Sequence, residues 1–125
     1  MARTTLQRTA PVLVVTTRTM KPMRDFFVET LGFTVDTEAG KGPAFVTLDR
    51  DGQTVMLECR PVFFAAKKTW TIYFWVDDIE AAYAEFTSRD AVLKGPIVDK
   101  FYGCREIAVI APDGRVIVFG QLGSD

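Results

Sequence analysis

The sequence predicts an α+β fold built from two tandem βαβββ modules. Three observations carry that prediction. The order strand, helix, three strands is written twice along the chain. An Asp-Gly turn closes a hairpin at the equivalent place in each half, at Asp51-Gly52 and at Asp113-Gly114. The apolar strings beside those turns also align, Phe45-Val-Thr-Leu with Ile107-Ala-Val-Ile and Val55-Met-Leu with Ile117-Val-Phe. At 125 residues and 48% apolar, the chain has the length of one domain and enough apolar material for a core.

Residues 11–17 (PVLVVTT) are β-branched and apolar, the pattern of a strand covered on both faces. From Thr19 to Gly32 the spacing turns helical. Pro22 suits a first turn, Gly32 suits the position just past a helix end, and Met23, Phe26, Phe27 and Leu31 share one face. Strands are expected at 33–37, 43–49 and 53–60, with Arg50-Asp51-Gly52 turning the last pair into a hairpin. Residues 61–68 (PVFFAAKK) form a connector, although Phe63 and Phe64 are too apolar for a free linker.

The second module opens with 69–76 (TWTIYFWV), the most aromatic strand of the chain. Asp77-Asp78 supplies an N-cap for a helix over 79–88, which carries Ile79, Ala82, Tyr83 and Phe86 on one face. Residues 92–101 are extended but broken by Gly95-Pro96, as in an edge strand or a partly irregular one. A hairpin over 106–110 and 116–121 turns at Pro112-Asp113-Gly114. The modules thus span about 9–60 and 69–122.

Composition removes several function classes. There is no histidine, so Ser-His-Asp triads, Cys-His pairs and His-ligated zinc or iron sites are excluded. Fifteen basic against sixteen acidic side chains argue against a nucleic-acid partner, and Lys67-Lys68 is a solvated pair. No apolar run approaches the ~20 residues of a membrane span, and no apolar signal core follows the N-terminal arginines. Cys59 and Cys104 are expected as reduced thiols, and the expected compartment is cytoplasmic.

Three segments carry a resemblance: Phe26-Phe27-x-x-x-Leu31-Gly32-Phe33, then Phe74-Trp75-Val76-Asp77-Asp78-Ile79-x-x-x-Tyr83, then Tyr102-Gly103-Cys104-Arg105-Glu106 running to Pro112-Asp113-Gly114. In order and spacing the chain resembles the vicinal oxygen chelate superfamily of glyoxalases, bleomycin-resistance proteins and extradiol dioxygenases. That resemblance implies two modules forming a curved mixed sheet around a cavity. It also implies a homodimer, whose modules pair within one chain or between two.

Metal-dependent members place ligands at four strand positions, which fall here on Val12, Glu58, Thr71 and Val118. The internal repeat selects Met56 in place of Glu58. Two aliphatic side chains, one hydroxyl and one carboxylate are a poor set for a divalent cation, so no metal and no cofactor are expected.

Alternation sorts the faces. If Thr71 faces the cavity, so do Tyr73 and Trp75, while Trp70, Ile72, Phe74 and Val76 face the helices. Val12, Val14, Val116 and Val118 then point inward. The resemblance places Tyr102 where bleomycin-binding relatives stack an aromatic ring on their ligand. Phe101 stands beside it, and Phe63-Phe64 supplies an opposing wall. Glu58 is either a polar handle or an ion-pair partner of Arg60 or Arg105, and Arg105 is expected to meet a carboxylate across strands.

The expected function is capture of a flat, aromatic, antibiotic-like small molecule without turnover. Bleomycin itself is disfavoured by the balanced charge. The alternative is a glyoxalase- or dioxygenase-type lyase or oxidoreductase with a degenerate metal site using Glu58.

Overall fold

Alternation in the first strand already sets the direction of the sheet. Leu13 and Val15 are buried while Val12 and Val14 are not, so one face looks to the helices and the other away from them. The structure is a computed structural model that describes residues 2–60 and 72–123. Its elements are β1 (Val12–Val15), α1 (Met20–Asp25), β2 (Thr34–Ala39), β3 (Phe45–Arg50), β4 (Gln53–Cys59), β5 (Ile72–Trp75), α2 (Ile79–Ser88), β6 (Val98–Asp99), β7 (Cys104–Ile110) and β8 (Val116–Leu122). Phe63, Phe64, Trp70 and Thr71 lie outside the described residues.

The repeat is topological as well as sequential. One four-stranded sheet runs β1-β4-β3-β2 and the other β5-β8-β7-β6. In each, the first strand pairs parallel with the last, and the remaining neighbours are antiparallel. The expected α+β architecture of two βαβββ modules is therefore present as two four-stranded mixed sheets.

Departures from the expected boundaries have local causes. Helix α1 widens into a π-helical stretch at Phe26–Thr30, where Leu31 N–H reaches back to the Phe26 carbonyl at 3.1 Å. This keeps the adjacent Phe26 and Phe27 both buried. Gly32 then ends the helix at φ +75°, as its position in the sequence requires. In the 92–101 segment only Val98–Asp99 forms a strand, with a single bridge from Leu93 to Val109, because Gly95-Pro96 interrupts the pairing. Helix α2 has the expected bounds, and Asp78 caps it by accepting from Glu80 and Ala81 N–H at 3.1 Å each.

The helix-facing sides merge into one core. A chain of aromatic contacts crosses from module to module: Phe27 to Phe33 at 5.2 Å, Phe33 to Phe74 at 5.8 Å, Phe74 to Phe119 at 5.4 Å and Phe119 to Phe86 at 4.6 Å. Each of the fully buried rings contributes roughly 1.5–3 kcal/mol by burial, and the partly buried Phe74 less.

Two arginines lock the junction. Arg50 grips Glu85 of α2 with both guanidinium nitrogens, at 2.8 and 2.9 Å, and donates to the Leu31 carbonyl at 2.7 Å. A side chain on Gly32 would put its Cβ 3.0 Å from that guanidinium. Arg115 is 3% exposed; it pairs with Asp113 at 2.7 Å and donates to the Val14 carbonyl of β1 at 2.6 Å. No helix among the described residues is long and apolar enough to cross a membrane.

Arg50 holds the Glu85 carboxyl below its ordinary range, chiefly through the direct hydrogen bond. A lowered folded-state value stabilises the protein above the unfolded value and is lost as pH falls through the folded one. Arg50→Gln is therefore expected to cost about 1–3 kcal/mol near neutral pH and to make the acid limb shallower. Urea melts of both proteins from neutral pH down to pH 3 check this. Equal stability across that range would contradict the lock.

Candidate ligand-binding site

The site is built on the face of the second sheet turned away from the helices. Ile72, Phe74, Ile107, Val109, Ile117 and Phe119 belong to the core, so their neighbours Tyr73, Trp75, Glu106, Ala108, Val118 and Gly120 face the other way. Registers align four residues in one row across the strands: Trp75 opposite Gly120, Gly120 opposite Glu106, and Glu106 opposite Val98. The next row pairs Tyr73 with Val118 and Val118 with Ala108.

Gly120 is the key to the arrangement. The Tyr73 phenol lies over it, so a Cβ there would come within 1.7 Å of the Tyr73 hydroxyl and 2.4 Å of the ring. Because β8 offers no side chain at that point, Tyr73 crosses it and donates to Glu106 Oε2 at 2.8 Å. Tyr102, in the loop before β7, donates to the same oxygen at 2.5 Å.

Glu106 is 7% exposed, yet among the described residues no Lys or Arg pairs with it, and two phenols hold it instead. Both phenols use Oε2, and among the described residues Oε1 has no hydrogen-bond partner.

These donors pay for their position in acidity. Burial first, and then Glu106, raises the Tyr73 hydroxyl above its usual range. The hydrogen bond to Glu106 pushes Tyr102 up to about 12.

Beside this cluster stands an exposed aromatic shelf. Trp75 is 65% exposed and its ring lies 4.8 Å from that of Tyr73. Phe101, 99% exposed, packs edge-on against Tyr102 at 5.0 Å. A cleft of about 580 Å³ lies between β5, α2 and the first hairpin, lined by Tyr73, Trp75, Phe74, Phe86, Arg50 and Glu85 but not by Glu106, Tyr102 or Phe101. That volume lies within the range that small-molecule sites occupy. Tyr73 and Trp75 belong both to the cleft and to the outward sheet face.

Of the residues singled out in the sequence, Tyr73, Trp75, Tyr102, Phe101 and Val118 come together on the second module. Val12 and Glu58 lie on the other sheet, where Val12 stands opposite Met56 and Glu58 opposite Val14 and Phe45. Glu58 is bound to Arg60 at 3.1 Å. Arg105 pairs with Asp99, its cross-strand neighbour, at 3.2 Å. Thr71 and Phe63 lie outside the described residues.

Sequence reasoning gave no role to Glu106 or Gly120. The signal available was alternation from Ile107 and Val109, which turns Glu106 to the same face as Ala108.

A family model described as "Glyoxalase superfamily protein" matches residues 1–124. The chain belongs to the glyoxalase superfamily. Solved structures share this superfamily fold along almost the whole chain. TnmS3, an antibiotic binding protein from Streptomyces sp. CB03234, is 23% identical with a TM-score of 0.71, covering 98% of this chain and 99% of that one. TioX from Micromonospora sp. ML1 is 20% identical with a TM-score of 0.71, over 91% and 98%. A putative glyoxalase family protein from Bacillus anthracis is 15% identical with a TM-score of 0.75, over 98% and 99%. None of the curated proteins matches the chain.

Metal-dependent members of this superfamily imply a cation on the inner strands, but the donors here do not fit one. Of the positions that the resemblance selects, Val12 and Val118 are aliphatic, Thr71 lies outside the described residues, and the register sets Met56, a soft thioether, and not Glu58 opposite Val12, which is a poor set for a divalent cation. Among the described residues no group of three or more His, Cys, Asp or Glu converges.

The phenol–carboxylate cluster has a pH signature. Raised folded-state values leave its contribution intact below about pH 10, the unfolded value, and remove it as pH rises through the folded ones. In an ultraviolet absorbance titration, Glu106→Gln is expected to move the ionisation of Tyr102 from about 12 back toward 10. An unchanged titration curve would show that Glu106 does not hold Tyr102.

Proposed function

We propose that the protein binds a flat, aromatic, antibiotic-like small molecule and holds it without turnover. The observation that carries this reading is Trp75, a large aromatic left 65% exposed beside the Tyr73 ring and lining a cleft. An exposed tryptophan costs hydration and is expected where a partner covers it. Tyr73 keeps its own hydroxyl satisfied on Glu106 and so offers its ring as a second, oriented surface. Phe101 and Tyr102 extend the aromatic surface from the neighbouring loop. The likeness to an antibiotic binding protein, TnmS3, supports the reading at the level of fold.

In this reading the molecule acts as a homodimer. Val12, Val98 and Leu122 are exposed apolar side chains, 39%, 46% and 67% accessible in the single chain, that a second copy would cover.

The test uses Trp70→Phe protein, in which Trp75 is the remaining tryptophan of two. A panel of planar aromatic antibiotics comprising an anthracycline, a quinoline and an acridine is titrated against its fluorescence. Saturable quenching by at least one compound is expected, and calorimetric titration of the same compound is expected to show an affinity reduced roughly tenfold by Trp75→Ala. Folded protein that no member of the panel quenches would count against the reading.

A further inference from the structure

We infer that Glu106 reads charge: the site takes aromatic ligands that carry a cationic nitrogen, a protonated amine or an amidinium, in preference to neutral ones of the same shape. This rests on the binding reading above and names the chemistry of its ligand. The Glu106 carboxylate is 7% exposed and yet has no cationic partner among the described residues. Buried carboxylates ordinarily meet a guanidinium or ammonium. Here the nearby Arg105 is directed to Asp99 and Glu80 instead, at 3.2 and 3.4 Å.

Both phenols converge on Oε2, which fixes the carboxylate in place and leaves Oε1 without a hydrogen-bond partner among the described residues. Glu106 also stands in the same cross-strand row as Trp75, with Gly120 between them. Two strand spacings separate them, on the order of 10 Å. A planar ligand lying against Trp75 can therefore extend over the Tyr73 ring and bring a nitrogen substituent to Oε1. There the ion pair would form at a carboxylate that is largely buried and already oriented, where it is worth more than at an exposed one. A single carboxylate matches a single cationic group, in keeping with the near-balanced charge of the chain.

The experiment compares 9-aminoacridine, protonated at mildly alkaline pH, with acridine, neutral there and nearly the same in shape. Both are titrated against Trp75 fluorescence in Trp70→Phe protein. The expected result is that 9-aminoacridine binds roughly tenfold tighter, that Glu106→Gln brings the ratio close to one, and that acridine affinity hardly moves. Equal affinities in the parent protein, or a ratio that survives Glu106→Gln, would overturn charge reading while leaving aromatic capture intact. Absence of quenching by both probes would instead strike at the binding reading itself.

If Glu106→Gln does not fold, Tyr102→Phe takes its place. It removes one of the two donors that orient the carboxylate, leaves the charge, and should lower the preference for the cation. A ratio that stays the same or rises in that variant would likewise contradict the inference.

Discussion

A phenol on the first strand of a sheet can touch a carboxylate two strands away only if the strand between them carries no side chain at the crossing. In the second module Gly120 meets that condition. Tyr73 lies over the glycine and bonds to Glu106, and Tyr102 bonds to the same oxygen. Much of the site follows from this crossing. Tyr73 is held flat along the sheet instead of standing up from it. Trp75, opposite the same glycine, has no neighbouring side chain on β8 in its row and remains exposed. Glu106 is oriented by neutral donors, which leaves its charge unmatched among the described residues.

Such a cluster is useful only on a backbone that does not drift, and the duplicated fold supplies one. The two sheets have the same strand order and direction, and their helix-facing sides share a single run of aromatic contacts from Phe27 to Phe86. Arg50 ties the first hairpin to α2, and Arg115 ties the start of β8 to the β1 backbone. These links run between the modules. The strand bearing Tyr73 and Trp75 is thereby placed on rigid elements, which favours precise presentation of side chains to a ligand.

The architecture was legible because its causes are local. Alternating apolar residues, a proline in a first helical turn, Asp78 before a helix and Asp-Gly at two hairpins each specify a short-range geometry, and together they give the strand order of both modules. Facing was legible for the same reason, since a period of two leaves Tyr73 and Trp75 on one side once Ile72 and Phe74 are in the core. The π-helical stretch at Phe26–Thr30 and the loss of pairing before Val98 were less so, because core packing and the neighbouring strand decide them. Glu106 and Gly120 escaped notice for a related reason. Neither is unusual in its own segment, and their meaning arises only when registers set them beside each other and beside Tyr73. The choice between Glu58 and Met56 was likewise a matter of register, and the ladder places Met56 opposite Val12.

What most needs direct observation is whether a ligand lies on the row that runs from Trp75 to Glu106. Two-dimensional proton–nitrogen NMR of the labelled protein gives one indole signal for each of its two tryptophans, and Trp75→Phe assigns them. On titration with 9-aminoacridine, a saturable displacement of the Trp75 indole signal together with the backbone amides of Glu106 and Gly120 is the expected result. Displacements confined to the α1 side of the molecule, around Phe26 and Val92, would contradict it.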